Sequence, residues 1–189
     1  MRHKNWFSSG GRRRNFKVAF KHLKGVPANY LEIGVFRGDS FSWMLGNILT
    51  HEDSRAIGVD PWDAKCMGRP WTQEEVTENM QLAHNAVAKF GDKASLYRQP
   101  SAGWFEVYGP ALLGAFDAIY LDGQHDYAPL KADFIAAWPL LKVGGTMIID
   151  DLGARHSEVG KLMDDLTPEY GGQWQEMFRN YQWGARKVA

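Results

Sequence analysis

The strongest constraint on this chain is the rhythm of its apolar runs. Runs of strand length fall at residues 30–35, 56–60, 94–99, 116–122 and 146–150, and helical patterns are interleaved with them over 39–49, 72–90, 127–141 and 154–166. Thr72 and Glu75 have the spacing of a capping box, and Gly91 stands where that helix would stop. In the third helical pattern, Leu130, Phe134, Ala137, Trp138 and Leu141 share one face, and Pro139 marks its end or a kink. Lys142 to Gly145 reads as a turn into the fifth strand, and 174–178 with 181–188 reads as a closing hairpin across Arg179 and Asn180. Alternating strands and helices predict an α/β domain, a mostly parallel sheet covered by helices on both faces. Ligands in such sheets bind beyond the carboxyl ends of the strands. Those ends carry Glu32 to Gly38, Asp60, Gln99 to Ser101, Asp122 to His125, and Asp150 with Asp151, so carboxylates gather at four of the five.

Size and composition narrow the class. A chain of 189 residues suits one domain, and its 44% hydrophobic and 23% charged content is ordinary for a globular protein. No apolar run approaches the roughly 18 residues that would span a bilayer. The start, Met1 to Trp6, has positive charge but no apolar stretch behind it, so a secretory signal is not expected and a cytoplasmic location is. Cys66 is the single cysteine, which excludes an intrachain disulfide and a thiolate zinc cluster. Net charge is zero but unevenly placed. Residues 1–31 hold eight Lys or Arg and no acid, leaving 14 basic and 22 acidic groups for the rest. Such an arm reads either as a phosphate or nucleic-acid contact or as a solvated helix whose charges answer an acidic body.

Two motifs at the strand ends have ligand-binding chemistry. In Glu32-x-Gly34-x-x-x-Gly38 the glycines allow a tight turn and close approach, and the leading acid suits a ligand with a positive amino group. This is not the Gly-x-Gly-x-x-Gly turn of a dinucleotide site, which disfavours an NAD-dependent oxidoreductase. Asp60, ending the second strand, can accept both hydroxyls of a ribose, or can be a turn residue before Pro61. The runs Tyr30-Leu-Glu-Ile-Gly-Val-Phe-Arg-Gly38 and Ile57-Gly-Val-Asp-Pro-Trp62 resemble the first two motifs of class I S-adenosylmethionine-dependent methyltransferases. The later stretches Phe116 to Tyr127 and Gly144 to Asp151 are similar to the metal-dependent sugar O-methyltransferases of macrolide biosynthesis. The resemblance spans residues 28–189, behind a basic arm or helix at 1–27 that could act as a lid together with 61–71. It implies a Rossmann-like, seven-stranded sheet of order 3-2-1-4-5-7-6 whose terminal hairpin supplies the antiparallel strand. Glu32, Gly34 and Gly38 would then hold the methionine end of S-adenosylmethionine and Asp60 the ribose, with Ser101 nearest the adenine.

The same resemblance brings Asp122, Asp150 and Asp151 together on one hard cation, and an all-oxygen set favours Mg2+ over zinc. The other reading has Asp151 capping the helix after Gly153 and Asp122 meeting the cofactor's amino group. His125, three residues beyond Asp122, is the general base that the resemblance implies; an imidazole suits proton removal near neutral pH. Otherwise it is a surface histidine of a loop. The expected partner is a small-molecule hydroxyl acceptor, sugar or catechol-like, with Trp62, Trp71 and Tyr127 near the mouth and a second copy of the chain as a further way to complete the pocket. Alternatives are a nucleic-acid methyltransferase using the basic arm, or a non-catalytic binding protein of the same fold. Asp122-Gly-Gln-His125 lacks the Asn/Asp-Pro-Pro-Tyr/Phe signature of many base-amine methylating enzymes, which disfavours base amines as acceptors.

Overall fold

The computed structural model describes residues 6–9, 11–67, 70–154 and 157–189. Arg2, Lys4, part of the 61–71 loop and the expected helix start at 154–156 lie wholly or partly outside them. Seven strands, β1 (Asn29–Ile33), β2 (Arg55–Asp60), β3 (Ala94–Arg98), β4 (Phe116–Leu121), β5 (Leu141–Ile149), β6 (Trp174–Arg179) and β7 (Trp183–Lys187), form one sheet of order β3-β2-β1-β4-β5-β7-β6. Strands β1 to β5 run parallel, and β7 pairs antiparallel with both β5 and β6. The expected topology is therefore present, hairpin included.

Period-two alternation sends successive strand residues to opposite faces. Leu31, Ile33, Ile119, Leu121, Met147 and Ile149 pack under α4 (Ser101–Tyr108), α5 (Tyr127–Ala137) and α6 (Val159–Tyr170). Tyr30, Ala118, Tyr120 and Ile148 pack under α1 (Arg12–Phe20), α2 (Asp39–Asn47) and α3 (Gln73–Val87). The arm's helix is thus part of the second core: Phe16, Ala19 and Phe20 have no exposed surface, and the Phe16 ring meets Tyr120 edge-on at 4.8 Å. Arg12, Asn15, Phe16, Ala19 and Phe20 recur at helical spacing, so one stripe of α1 faces inward while Arg13, Arg14 and Lys17 stay exposed.

Several local expectations are corrected. The turn expected at 142–145 is a bulge inside β5: Leu141 pairs with Phe116, the next pair is Thr146 with Ala118, and Gly144 takes the surplus backbone at φ +86°. Helix α4 was not anticipated, because its eight residues carry Gly103 and three aromatics and follow a proline. Helix α5 ends at Ala137, where a tighter turn containing Pro139 takes over. Helix α6 starts at Val159 and runs to Tyr170, later at both ends than the apolar pattern indicates. The capping box at Thr72 and Glu75 forms in full, but α3 gives way to a tighter turn after Val87, with Gly91 at φ +55°.

Candidate active site at the strand ends

The carboxyl ends of β1, β2, β4 and β5 meet at one edge of the sheet. Among the described residues, positive φ outside glycine occurs at Phe36, Trp62 and Asp151, all within a few residues of those ends. Strain of that kind persists only where surrounding structure imposes it, and it concentrates at functional sites. Gly34 has φ +88°, and a Cβ there would lie 2.1 Å from the Asp122 carbonyl oxygen. Glycine at this position lets the ends of β1 and β4 approach. Gly38, at φ +78°, opens α2 against the backbone of Ala83.

Asp60 ties this edge together. Its Oδ2 accepts from the Val35 and Phe36 N–H groups at 2.9 Å each, and its Oδ1 from the Trp62 N–H at 2.8 Å. The Trp62 indole closes the bracket by donating to the Phe36 carbonyl at 2.8 Å. Burial pushes the Asp60 carboxyl up, and the three N–H donors pull against it. Glu32 lies deeper, fully buried, with one oxygen accepting from Tyr30 and the other from Ser40. Burial outweighs those hydrogen bonds and raises its carboxyl to about 8. Both acids thus have protein donors on both oxygens. They shape the turn from beneath, whereas Asp122 keeps a partly open side chain at the edge.

The remaining groups form a chain of alternating charge. Asp122 lies 3.5 Å from His125 Nε2, and His125 Nδ1 lies 3.4 Å from Asp151. Arg12 closes the chain: Nε donates to Asp150 Oδ2 and Nη2 to Asp151 Oδ1, each at 2.6 Å, while its guanidinium lies 4.4 Å over the Tyr181 ring. Burial disfavours the His125 imidazolium, but Asp122, Asp151 and Asp150 outweigh it and raise its pKa. Burial and then Asp122 push the Asp150 carboxyl up, against the pull of Arg12. A second line runs from the arm to the same acid: Asn15 donates to Gln182, Gln182 to the Tyr120 hydroxyl, and that hydroxyl to Asp122 at 3.1 Å.

Ser101 opens α4, and its hydroxyl donates to Asp133 at 2.6 Å; burial raises that carboxyl to about 6. Ser101 therefore sits apart from the acid–histidine chain, at the β3 side of the edge. A groove of about 450 Å3 lies on the seam between α1 and the β6–β7 hairpin, reaching Tyr181 beside the chain. Arg12, Tyr120, Tyr181 and Asp133 were missed in the sequence reading. Only Arg12 left a signal, as the first residue of the inward stripe of α1.

The divalent cation expected here can be tested against these groups. Among the described residues, no three or more His, Cys, Asp or Glu side chains are gathered closely enough to hold a metal ion as they stand. Asp150 and Asp151 instead address two different nitrogens of Arg12. Yet the donors are all hard oxygens, and Asp150 Oδ1 is buried without a hydrogen-bond partner. The set fits a hard cation in kind, with its positive charge supplied by a side chain.

Known proteins share this fold. The uncharacterised protein R132 of Acanthamoeba polyphaga mimivirus is 29% identical over 145 residues, which are 73% of this chain and 61% of that protein. The chain thus spans about three-fifths of that relative's length. A solved Corynebacterium glutamicum protein superposes with a TM-score of 0.63 at 15% identity, covering 93% of this chain and 80% of that one. The MycE methyltransferase of mycinamycin biosynthesis, solved with Mg, SAH and mycinamycin VI, gives 0.65 at 15% identity, covering 97% of this chain and 50% of its own. An O-methyltransferase of Bacillus cereus in complex with SAH gives 0.57 at 15% identity, covering 85% and 74%. At such identities these likenesses establish the fold. A family model described as a methyltransferase domain matches residues 31–152, the stretch that holds every strand-end motif described above except the arm's Arg12, and the chain belongs to that methyltransferase family.

Proposed function

We propose that the protein transfers a methyl group from S-adenosylmethionine to a hydroxyl of a small molecule, sugar or catechol-like, with His125 as general base. The observation that carries this reading is the Asp122–His125–Asp151 chain beside the turn after β1. The MycE and Bacillus cereus structures, which contain SAH, support the choice of cofactor. Bound S-adenosylmethionine supplies its methyl as a sulfonium electrophile, so the protein's work is alignment and exclusion of water. Gly34 and Gly38 bring backbone against the methionine end, Asp122 accepts from its amino group, Asp60 sets the loop at the ribose, Glu32 braces the turn from below, and Ser101 stands toward the adenine.

As the acceptor oxygen forms its bond to the methyl carbon, the carbon–sulfur bond breaks and the hydroxyl proton passes to His125. Its flanking acids stabilise the imidazolium that results. Asp122, Asp150 and Asp151 would hold Mg2+, which when bound lowers the pKa of a coordinated hydroxyl. Because the base must start neutral, the rate is expected to rise with pH through the raised imidazole pKa.

Calorimetry with S-adenosylhomocysteine, followed by turnover on catechol and sugar acceptors, tests the reading. His125→Gln should bind S-adenosylhomocysteine like the wild type and lose roughly 100- to 10,000-fold in turnover. Wild-type protein that ignores S-adenosylhomocysteine, or a variant that turns over normally, would sink it. Exposed Arg13, Arg14 and Lys17 keep one rival concrete: a nucleic-acid acceptor, recognised by binding that weakens steeply with salt.

A further inference from the structure

Arg12 stands where a cation for the Asp150–Asp151 pair has to stand. Its Nε and Nη2 each take one oxygen from a different carboxylate at 2.6 Å, and its residue is only 6% exposed. The two partners lie 138 and 139 positions along the chain, so the contact exists only because α1 is docked. That docking does not depend on Arg12 alone: Phe16, Ala19 and Phe20 are sealed in the core, and Asn15 bonds Asn180 and Gln182. The helix can therefore stay in place while the Arg12 side chain moves. Gly11, behind it, is an exposed left-handed residue with nothing within 4 Å of where a Cβ would be.

Charge and satisfaction both point to a second occupant. Three carboxylates, Asp122, Asp150 and Asp151, face one guanidinium and one imidazole. Asp150 is 1% exposed, yet its Oδ1 has no hydrogen-bond partner, so a single fork does not exhaust the pair. A hard divalent ion bridging Asp150 and Asp151 would lie against the same two carboxylates as the guanidinium, even if it took the open Asp150 Oδ1. Two positive groups that close repel.

Resting on the reading of these acids as a cation site, we propose that Arg12 and a divalent cation are mutually exclusive occupants of Asp150 and Asp151, so that Arg12 sets the affinity for the metal. Cation entry turns the guanidinium out past Tyr181, and the first turn of α1 loosens while Phe16, Ala19 and Phe20 remain buried. The basic arm is then a determinant of metal binding rather than a passive cover.

The test uses the full-length chain and Mn2+ as the probe, with free ion counted by electron paramagnetic resonance. Arg12→Met should bind Mn2+ at least tenfold more tightly than the wild type, with Arg12→Lys between them. Amide exchange across residues 12–15 of the wild type should quicken at saturating Mn2+, a readout that needs no folded variant. Equal affinities in wild type and Arg12→Met, or unchanged exchange at saturation, would overturn the competition and leave the cation reading standing. No Mn2+ binding by any of the three proteins would overturn the cation reading, and the competition with it.

Discussion

At the scale of single residues, the site is a problem of unequal burial. Glu32, Asp60 and Asp150 are all nearly inaccessible, and each is held by a different device: two hydroxyls, three backbone N–H groups, and one guanidinium. Removing one partner of a buried ion pair costs about 3–5 kcal/mol, because the other charge is left without compensation. Arg12→Ala is therefore expected to lose stability of that order in urea unfolding without metal. A loss under 1 kcal/mol would contradict the buried pairing. Glu32 carries a pH signature. Its folded pKa, about 8, is above the unfolded carboxylate value, so the native state binds the extra proton between them. Its contribution to stability is full below about pH 4.5 and declines as pH rises towards 8. Glu32→Gln should remove that decline, on the order of a few kcal/mol, from the stability–pH curve. Identical curves for the two proteins would show that Glu32 ionises freely.

At the scale of elements, the strand ends are set by how closely backbones approach. The φ of +88° at Gly34 and the Asp122 carbonyl facing it leave no room for a Cβ. Gly34→Ala should cost at least about 2 kcal/mol, combining backbone strain with a forced separation of β1 from β4. It should also weaken S-adenosylhomocysteine binding, read by calorimetry; a stable variant that binds normally would contradict this role. Much at this scale was legible beforehand. The capping box at Thr72 formed as spaced, and the fourth strand announced its burial on both faces by its apolar run. The bulge at 142–145 was not legible, since a Gly-Gly pair serves a turn and a bulge equally well. Helix α4 was not either, because its short aromatic sequence acquires helical sense only by packing Trp104 and Phe105 on the sheet.

At the scale of the whole molecule, the arm belongs to the domain. Phe16 and Phe20 complete the core on one face of the sheet, and full truncation of a buried phenylalanine costs about 3–5 kcal/mol. A chain lacking residues 1–20 loses both rings and the Arg12 fork, and should unfold well below the full-length protein or without a cooperative transition in calorimetry. An unchanged transition would mean that α1 is dispensable. The sequence by itself determined the succession of strands along the chain, most of the helices between them, the parallel sheet with its closing hairpin, and the carboxylates gathered at one edge, because apolar period and turn chemistry are local properties. Only the tertiary structure decided how each acid is held. Glu32 takes its donors from β1 and α2, and Asp60 takes its own from the loops that follow β1 and β2. Arg12 became the cation of Asp150 and Asp151 because a helix near one end of the chain docks beside the fifth strand. Contacts across some 138 positions depend on how the chain packs, and no periodicity encodes them.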